Sequence, residues 1–92
     1  MIRSYKHRAL REFFVNGTTR YLTPDLLKRV HRILRILDAA EYIEELNLPG
    51  LYLHELKGAR KGTWSIRVTG NFRLTFRFKD GHAYDIDLED YH

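Results

Sequence analysis

Asp90, Tyr91 and His92 set a carboxylate, an aromatic ring and an imidazole in succession, while His54, Lys57 and Arg73 add an imidazole and two cations upstream. Histidine titrates near neutrality, a carboxyl group can accept or return a proton, and Lys or Arg can stabilise charge on phosphorus. These types suit metal-free scission of RNA, in which the ribose 2′-hydroxyl attacks the adjacent phosphate in line. The reaction needs a base at the 2′-hydroxyl, cations at the five-coordinate phosphorus and an acid at the departing 5′-oxygen. His54, Asp90 and His92 are candidates for proton transfer, and Lys57 and Arg73 for the phosphate. Tyr91 can stack on a base and hold the nucleotide in line.

The spacing sets geometric conditions. Residues 54 and 57 face opposite ways on a regular strand, so Lys57 joins His54 only where the strand twists, bulges or ends; an end near Gly58 is expected. Asp90 and His92 share a side of an extended backbone with Tyr91 opposite, so one site takes all three only if the tail curls. His7, His31 and His82 lie away from the basic strands and read as surface or packing residues. His54, Asp90 and His92 are competent metal ligands, but no recognised spacing joins them, and neither metal nor other cofactor is expected.

The elements that must position these side chains follow from periodicity. Residues 5–16 read as a helix with Leu10, Phe13 and Phe14 on its apolar stripe and Gly17 at its end. A second helix begins with Thr23 as cap and Pro24 in its first turn, and carries Leu26, Leu27, Val30, Ile33, Leu34 and Leu37 on one face. Lys28, Arg32 and Arg35 then face water. Residues 38–46 read as a further turn or short helix, and Asn47-Leu48-Pro49-Gly50 breaks the pattern.

From Leu51 the period is two, predicting strands near 51–57, 63–69, 72–79 and 82–88. Gly70-Asn71 and Asp80-Gly81 have the composition of two-residue hairpin turns, so the strands form an antiparallel meander. The expected fold is α+β, with two N-terminal helices packed on the apolar face of a twisted sheet. Tyr52, Trp64, Phe72 and Tyr84 read as core or sheet packing. Arg67, Arg73 and Arg77 fall on the other face, where they repel one another unless an anion joins them. With Lys57, Arg60 and Lys61 they make a surface suited to phosphates.

Length and composition agree with this reading. Ninety-two residues suit one domain, and the absence of cysteine removes disulfides and thiolate metal sites. No stretch approaches the roughly 18 apolar residues of a membrane span, and the first residues contain no apolar leader, so a cytoplasmic protein is the default expectation. Net charge is +4, with no acid between Lys57 and Lys79 and no Lys or Arg between Asp80 and Asp90.

Leu53-His54-Glu55-Leu56-Lys57-Gly58, Gly62-Thr63-Trp64-Ser65-Ile66, Gly70-Asn71-Phe72-Arg73-Leu74-Thr75-Phe76 and the stretch from Tyr84 to His92 together resemble the HigB branch of the RelE-type toxins. The resemblance runs from Met1 to His92. It implies a RelE-like, microbial-ribonuclease-like fold and cleavage of messenger RNA in the decoding A site of the 70S ribosome, which inhibits translation. It also implies a HigA-like helix-turn-helix antitoxin, through which operator DNA is met indirectly, and no membrane. Roles in catalysis carry over to His54, Lys57, Arg73, Asp90, Tyr91 and His92; Arg60, Lys61, Arg67 and Arg77 are expected to contact RNA or ribosome. Phe72 departs from the Trp of many relatives while keeping a ring on the apolar face. The alternatives are a noncatalytic RNA- or ribosome-binding module, a ParE-like toxin acting on gyrase, and a degenerate toxin serving only in a repressor complex.

Overall fold

A computed structural model of the chain describes residues 1–20 and 22–90. Helices α1 (Arg8–Asn16) and α2 (Pro24–Ala39) precede strands β1 (His54–Glu55), β2 (Trp64–Arg67), β3 (Phe72–Lys79) and β4 (His82–Asp90). The strands pair antiparallel in chain order, as the expected meander requires.

The second helix follows its sequence signals. Pro24 fills the first turn, Asp25 complements the positive helix end, and Leu26, Val30, Ile33, Leu34 and Leu37 are buried. Thr23 caps through its carbonyl, which accepts from the amides of Leu26 and Leu27, and not through its hydroxyl. The apolar stripe shares one core with Leu10 of α1 and with Ile66, Leu74, Phe76 and Ile86 of the sheet. Between α2 and β1, a 3₁₀ turn at Ile43–Leu46 seals Leu46 into that core.

Helix α1 begins three residues later than its periodicity suggests, because the preceding segment pairs with the sheet. Ile2 and Tyr5 bridge Ala83 and Ile86 in parallel with β4, and the amides of Lys6 and His7 donate to the Ile86 carbonyl at 2.8 and 3.2 Å. An edge strand offers unpaired amides and carbonyls, and satisfying them outweighs the small propensity of three residues for helix. Asp38 of α2 anchors the same segment by accepting from the Ile2 amide at 2.9 Å. Burial and the nearby Asp38 raise the Tyr5 hydroxyl above its ordinary pKa.

Strand β1 is far shorter than the expected 51–57. Tyr52 takes a left-handed conformation (φ 51°) ahead of it, and after Leu56 donates to the Thr63 carbonyl at 2.8 Å the chain turns away through Gly58 (φ 68°) into a 3₁₀ turn at Gly58–Arg60. The Asp80-Gly81 hairpin has positive φ at both residues, matching the primed turn predicted. The other hairpin is longer than predicted: Arg67 opposes Arg73 and the Val68 amide donates to the Phe72 carbonyl at 2.9 Å, leaving residues 69–71 as a three-residue loop. The Thr69 hydroxyl accepts from the amides of Asn71 and Phe72 at 3.2 Å each, which stabilises that wider loop.

Strand β4 contains a bulge. Thr75 opposes Asp87 but Arg77 opposes Tyr84, so β4 carries one extra residue there, with Asp85 at φ 54°. Ser4 supports the irregularity, accepting the Asp85 amide at 2.8 Å. The extra residue turns Ile86 into the core while keeping Arg77, Thr75 and Arg73 on one side of β3.

Candidate active site

Cross-strand partners share a side of the sheet. The register therefore draws two rows on the face away from the helices: His54, Ser65, Thr75 and Asp87 in one, and Arg67, Arg73 and Glu89 in the next. Strand spacing puts the backbones of His54 and Arg73 about 10–12 Å apart.

Glu89 organises the second row. Arg60 reaches over from its 3₁₀ turn and grips the Glu89 carboxylate with both terminal nitrogens, Nη1 at 2.9 Å. Arg73 Nη2 donates to the same carboxylate at 3.2 Å, and the Thr75 hydroxyl donates at 2.6 Å. The Arg60 hydrogen bonds are the main reason the Glu89 carboxyl titrates at about 2, with Thr75 and Arg73 adding to the shift against an opposing desolvation penalty. For Arg73 and Arg60 the chain itself thus provides an anion. Arg60, expected among the RNA-contacting cations, turns inward to Glu89. Glu89 was not singled out from sequence, although strand alternation already puts it beside Arg73 and Thr75.

The loop carrying Arg60 covers the middle of this face. The Gly62 amide donates to the Glu55 carboxylate at 2.9 Å, and a Cβ on Gly62 would lie 3.3 Å from the Arg77 guanidinium. Ser65 and Thr75, on the same face of the strands, are each only 2 % exposed. Arg77 meanwhile lines a cavity of about 480 Å³ with Trp64 and Tyr84. The face expected to be an open cationic plane is therefore partly covered. His54, Tyr52 and Arg67 remain exposed on it, with Lys57 and Lys61 exposed at the two ends of the loop's 3₁₀ turn.

His54 is oriented for proton transfer. Its Nδ1 lies 3.0 Å from the Tyr52 carbonyl. A carbonyl only accepts, so Nδ1 carries the hydrogen in this contact and the neutral ring leaves Nε2 free to take a proton. The left-handed turn at Tyr52 aims that carbonyl at the ring. Tyr52 itself departs from the core-packing expectation: it is 63 % exposed, and the Arg67 guanidinium sits 5.2 Å from its ring centroid. A left-handed residue just before a short edge strand projects its side chain outward, which an alternation pattern does not anticipate.

The structure brings together His54, Arg67 and Arg73 on one face and leaves Asp90 off it. Asp90 opposes Phe72, whose ring packs toward the core, so Asp90 reaches the His54 side only if the end of β4 turns over. Tyr91 and His92, and with them the expected sharing of a side by Asp90 and His92, lie outside the described residues. Among the described residues no helix is long and apolar enough to cross a membrane.

Comparison with known proteins gives this geometry its context. The endoribonuclease HigB of Proteus vulgaris is 44 % identical over 92 residues, covering all of both chains. Toxin HigB-1 of Vibrio cholerae serotype O1 is 34 % identical over 91 residues, covering 97 % of this chain and 96 % of its own. Among solved structures, a heterotetrameric YoeB-YefM toxin-antitoxin complex from Staphylococcus aureus contains a chain of the same fold, with a TM-score of 0.66 at 19 % identity, spanning 100 % of this chain and 95 % of that one. Residues 3–92 match the family described as the RelE-like toxin of type II toxin-antitoxin system HigB, and the chain belongs to that family.

Proposed function

We propose that this HigB-family toxin is an endoribonuclease that cuts messenger RNA in the ribosomal A site by attack of the ribose 2′-hydroxyl, without a metal. The observation that carries the reading is His54, with Nε2 free, on the same cationic sheet face as Arg73. The full-length relationship to an endoribonuclease supports the reaction class.

In the mechanism, His54 Nε2 takes the 2′-hydroxyl proton as that oxygen bonds to phosphorus. Lys57 and Arg73 stabilise the charge gathering on the phosphoryl oxygens, and a group from Asp90 or His92 returns a proton as the bond to the 5′-oxygen breaks, leaving a 2′,3′-cyclic phosphate. Tyr91 stacks on a base and keeps the attack in line. Lys61, Arg67 and Arg77 hold phosphates of messenger or ribosome, while Arg60 acts through Glu89. An antitoxin partner follows from the family; its helix-turn-helix domain, its operator contact and the cytoplasmic setting belong to the proposal.

The site is sparse. Few catalytic groups suffice if the ribosome holds the messenger in line, so purified protein should cut ribosome-bound message and leave naked single-stranded RNA nearly intact. Vigorous cleavage of naked RNA, unaffected by added ribosomes, contradicts the A-site assignment. Lys57→Ala should slow single-turnover cleavage by at least about ten-fold while weakening binding much less, because its charge is aimed at the transition state. Equal losses in rate and binding would assign Lys57 to docking.

A further inference from the structure

The helical side of the molecule carries cations that the proposed reaction does not use. Lys28, Arg29, Arg32 and Arg35 stand exposed along α2, with no acidic residue between Asp25 and Asp38. Such a face is ordinarily just solvated. One end of it is different, because there Arg29 and Arg32 meet Arg67 of the sheet around a notch of about 240 Å³ walled by Pro49, Gly50 and Val68.

Two of the three guanidinium groups are held in place. Arg29 Nη1 donates to the Val68 carbonyl at 2.8 Å. Arg67 lies over the Tyr52 ring, and its amide donates to the Leu51 carbonyl at 2.8 Å. No carboxylate lines the notch, and among the described residues none of the three arginines forms an ion pair. The contrast with the neighbouring cluster is direct: Arg60 and Arg73 converge on Glu89, whereas Arg29, Arg32 and Arg67 line one notch that contains no carboxylate. Like charges held together in this way are relieved by an anion, and guanidinium forks match the oxygens of a phosphate.

We infer that the notch formed by Arg29, Arg32 and Arg67 is a seat for an RNA phosphodiester remote from the scissile bond. The inference rests on the endoribonuclease reading for its ligand class. Arg67 is the strand partner of Arg73, so it joins the notch to the reaction face, and RNA seated in the notch runs past the exposed ring of Tyr52 toward His54. The phosphodiester belongs either to the messenger or to ribosomal RNA.

The test titrates full-length wild type and Arg32→Gln against uncleavable 2′-O-methyl oligonucleotides of short and long length, and against ribosomes with and without messenger, over a range of salt. Among the described residues Arg32 is exposed and forms no side-chain hydrogen bond or ion pair, so this variant carries the test; Arg29→Gln is added only where its melting curve matches wild type. Removing Arg32 should weaken binding about ten-fold and lower the slope of log affinity against log salt by about one, and Arg32→Lys should restore most of that slope. Loss on message-free ribosomes assigns the phosphate to ribosomal RNA; loss confined to long oligonucleotides or programmed ribosomes assigns it to the messenger. Unchanged affinity and slope on every RNA overturn the seat while wild-type cleavage leaves the enzyme reading standing. Weakened binding of a purified antitoxin with RNA binding intact makes the notch a protein seat and also overturns it. Wild-type protein that binds RNA through Arg32 yet cuts none defeats the catalytic reading alone.

Discussion

Arg73→Ala should lower the single-turnover rate of RNA cleavage by about 10²–10³-fold, the loss expected when one preorganised donor to a developing anion is removed. Arg73 sits in the middle of the sheet, its side chain only 19 % exposed, and is aimed by Glu89 across the β3–β4 ladder. The Nη2 bond to Glu89 holds the guanidinium in the ladder. Its position is fixed before substrate arrives, and no reorganisation is needed as charge develops. Arg73→Lys should recover little, because an ammonium is a point charge without the fork geometry. The rate is measured at saturating message, with a melting curve on the same sample. A variant that folds as wild type and cuts within about two-fold of its rate would remove Arg73 from the reaction centre.

The second large effect is on stability. Glu89→Ala should destabilise the fold by about 2–3 kcal/mol, measured by denaturant titration at neutral pH. The change leaves Arg73 and the nearly buried Thr75 without their shared acceptor and frees Arg60, so the covering loop loses its main tie to β4. The figure lies below the 3–5 kcal/mol typical of a fully buried broken pair because Glu89 keeps 21 % exposure and Arg60 keeps 44 %. Acid supplies an independent readout. The folded Glu89 carboxyl titrates at about 2 instead of its usual 4.5, so its contribution is complete above about pH 4.5 and disappears as pH falls through about 2. Glu89→Gln keeps the shape of the side chain but has no proton to gain, so wild type and variant should converge in stability between pH 4.5 and 2. Curves that stay parallel across that window would show that the Arg60–Glu89 linkage contributes nothing to folding.

Much of the fold could be read from local pattern. The apolar spacing of α2, the period of two in β3 and the Asp80-Gly81 turn each act within a few residues, and the α+β arrangement follows because those apolar faces have only one another to bury against. The departures come from interactions between distant segments. Residues 5–7 look like the start of a helix until β4, some eighty positions later, offers its edge. Tyr52 looks like strand packing until the left-handed turn before β1 throws its ring into solvent.

The candidate site divides in the same way. Arg67, Arg73 and Arg77 could be assigned to one face by alternation, and the need for an anion among them followed from Coulomb repulsion. For Arg73 that anion is Glu89, and Arg60 crosses the face to hold it through a contact between residues 29 positions apart. The same alternation that puts Glu89 beside Arg73 also puts Asp90 on the other side, so the carboxylate the structure gives to the cationic face is the neighbour of the one the sequence singles out.

The most direct test of 2′-hydroxyl attack on ribosome-bound message is to map the 3′ ends of RNA cut in a translating extract, with a parallel message carrying a single 2′-deoxy nucleotide at the cleaved position. The account predicts 2′,3′-cyclic phosphate ends at codon-phased positions and an uncut deoxy message. Ends bearing a 3′-hydroxyl, or equal cutting of the deoxy message, would contradict it.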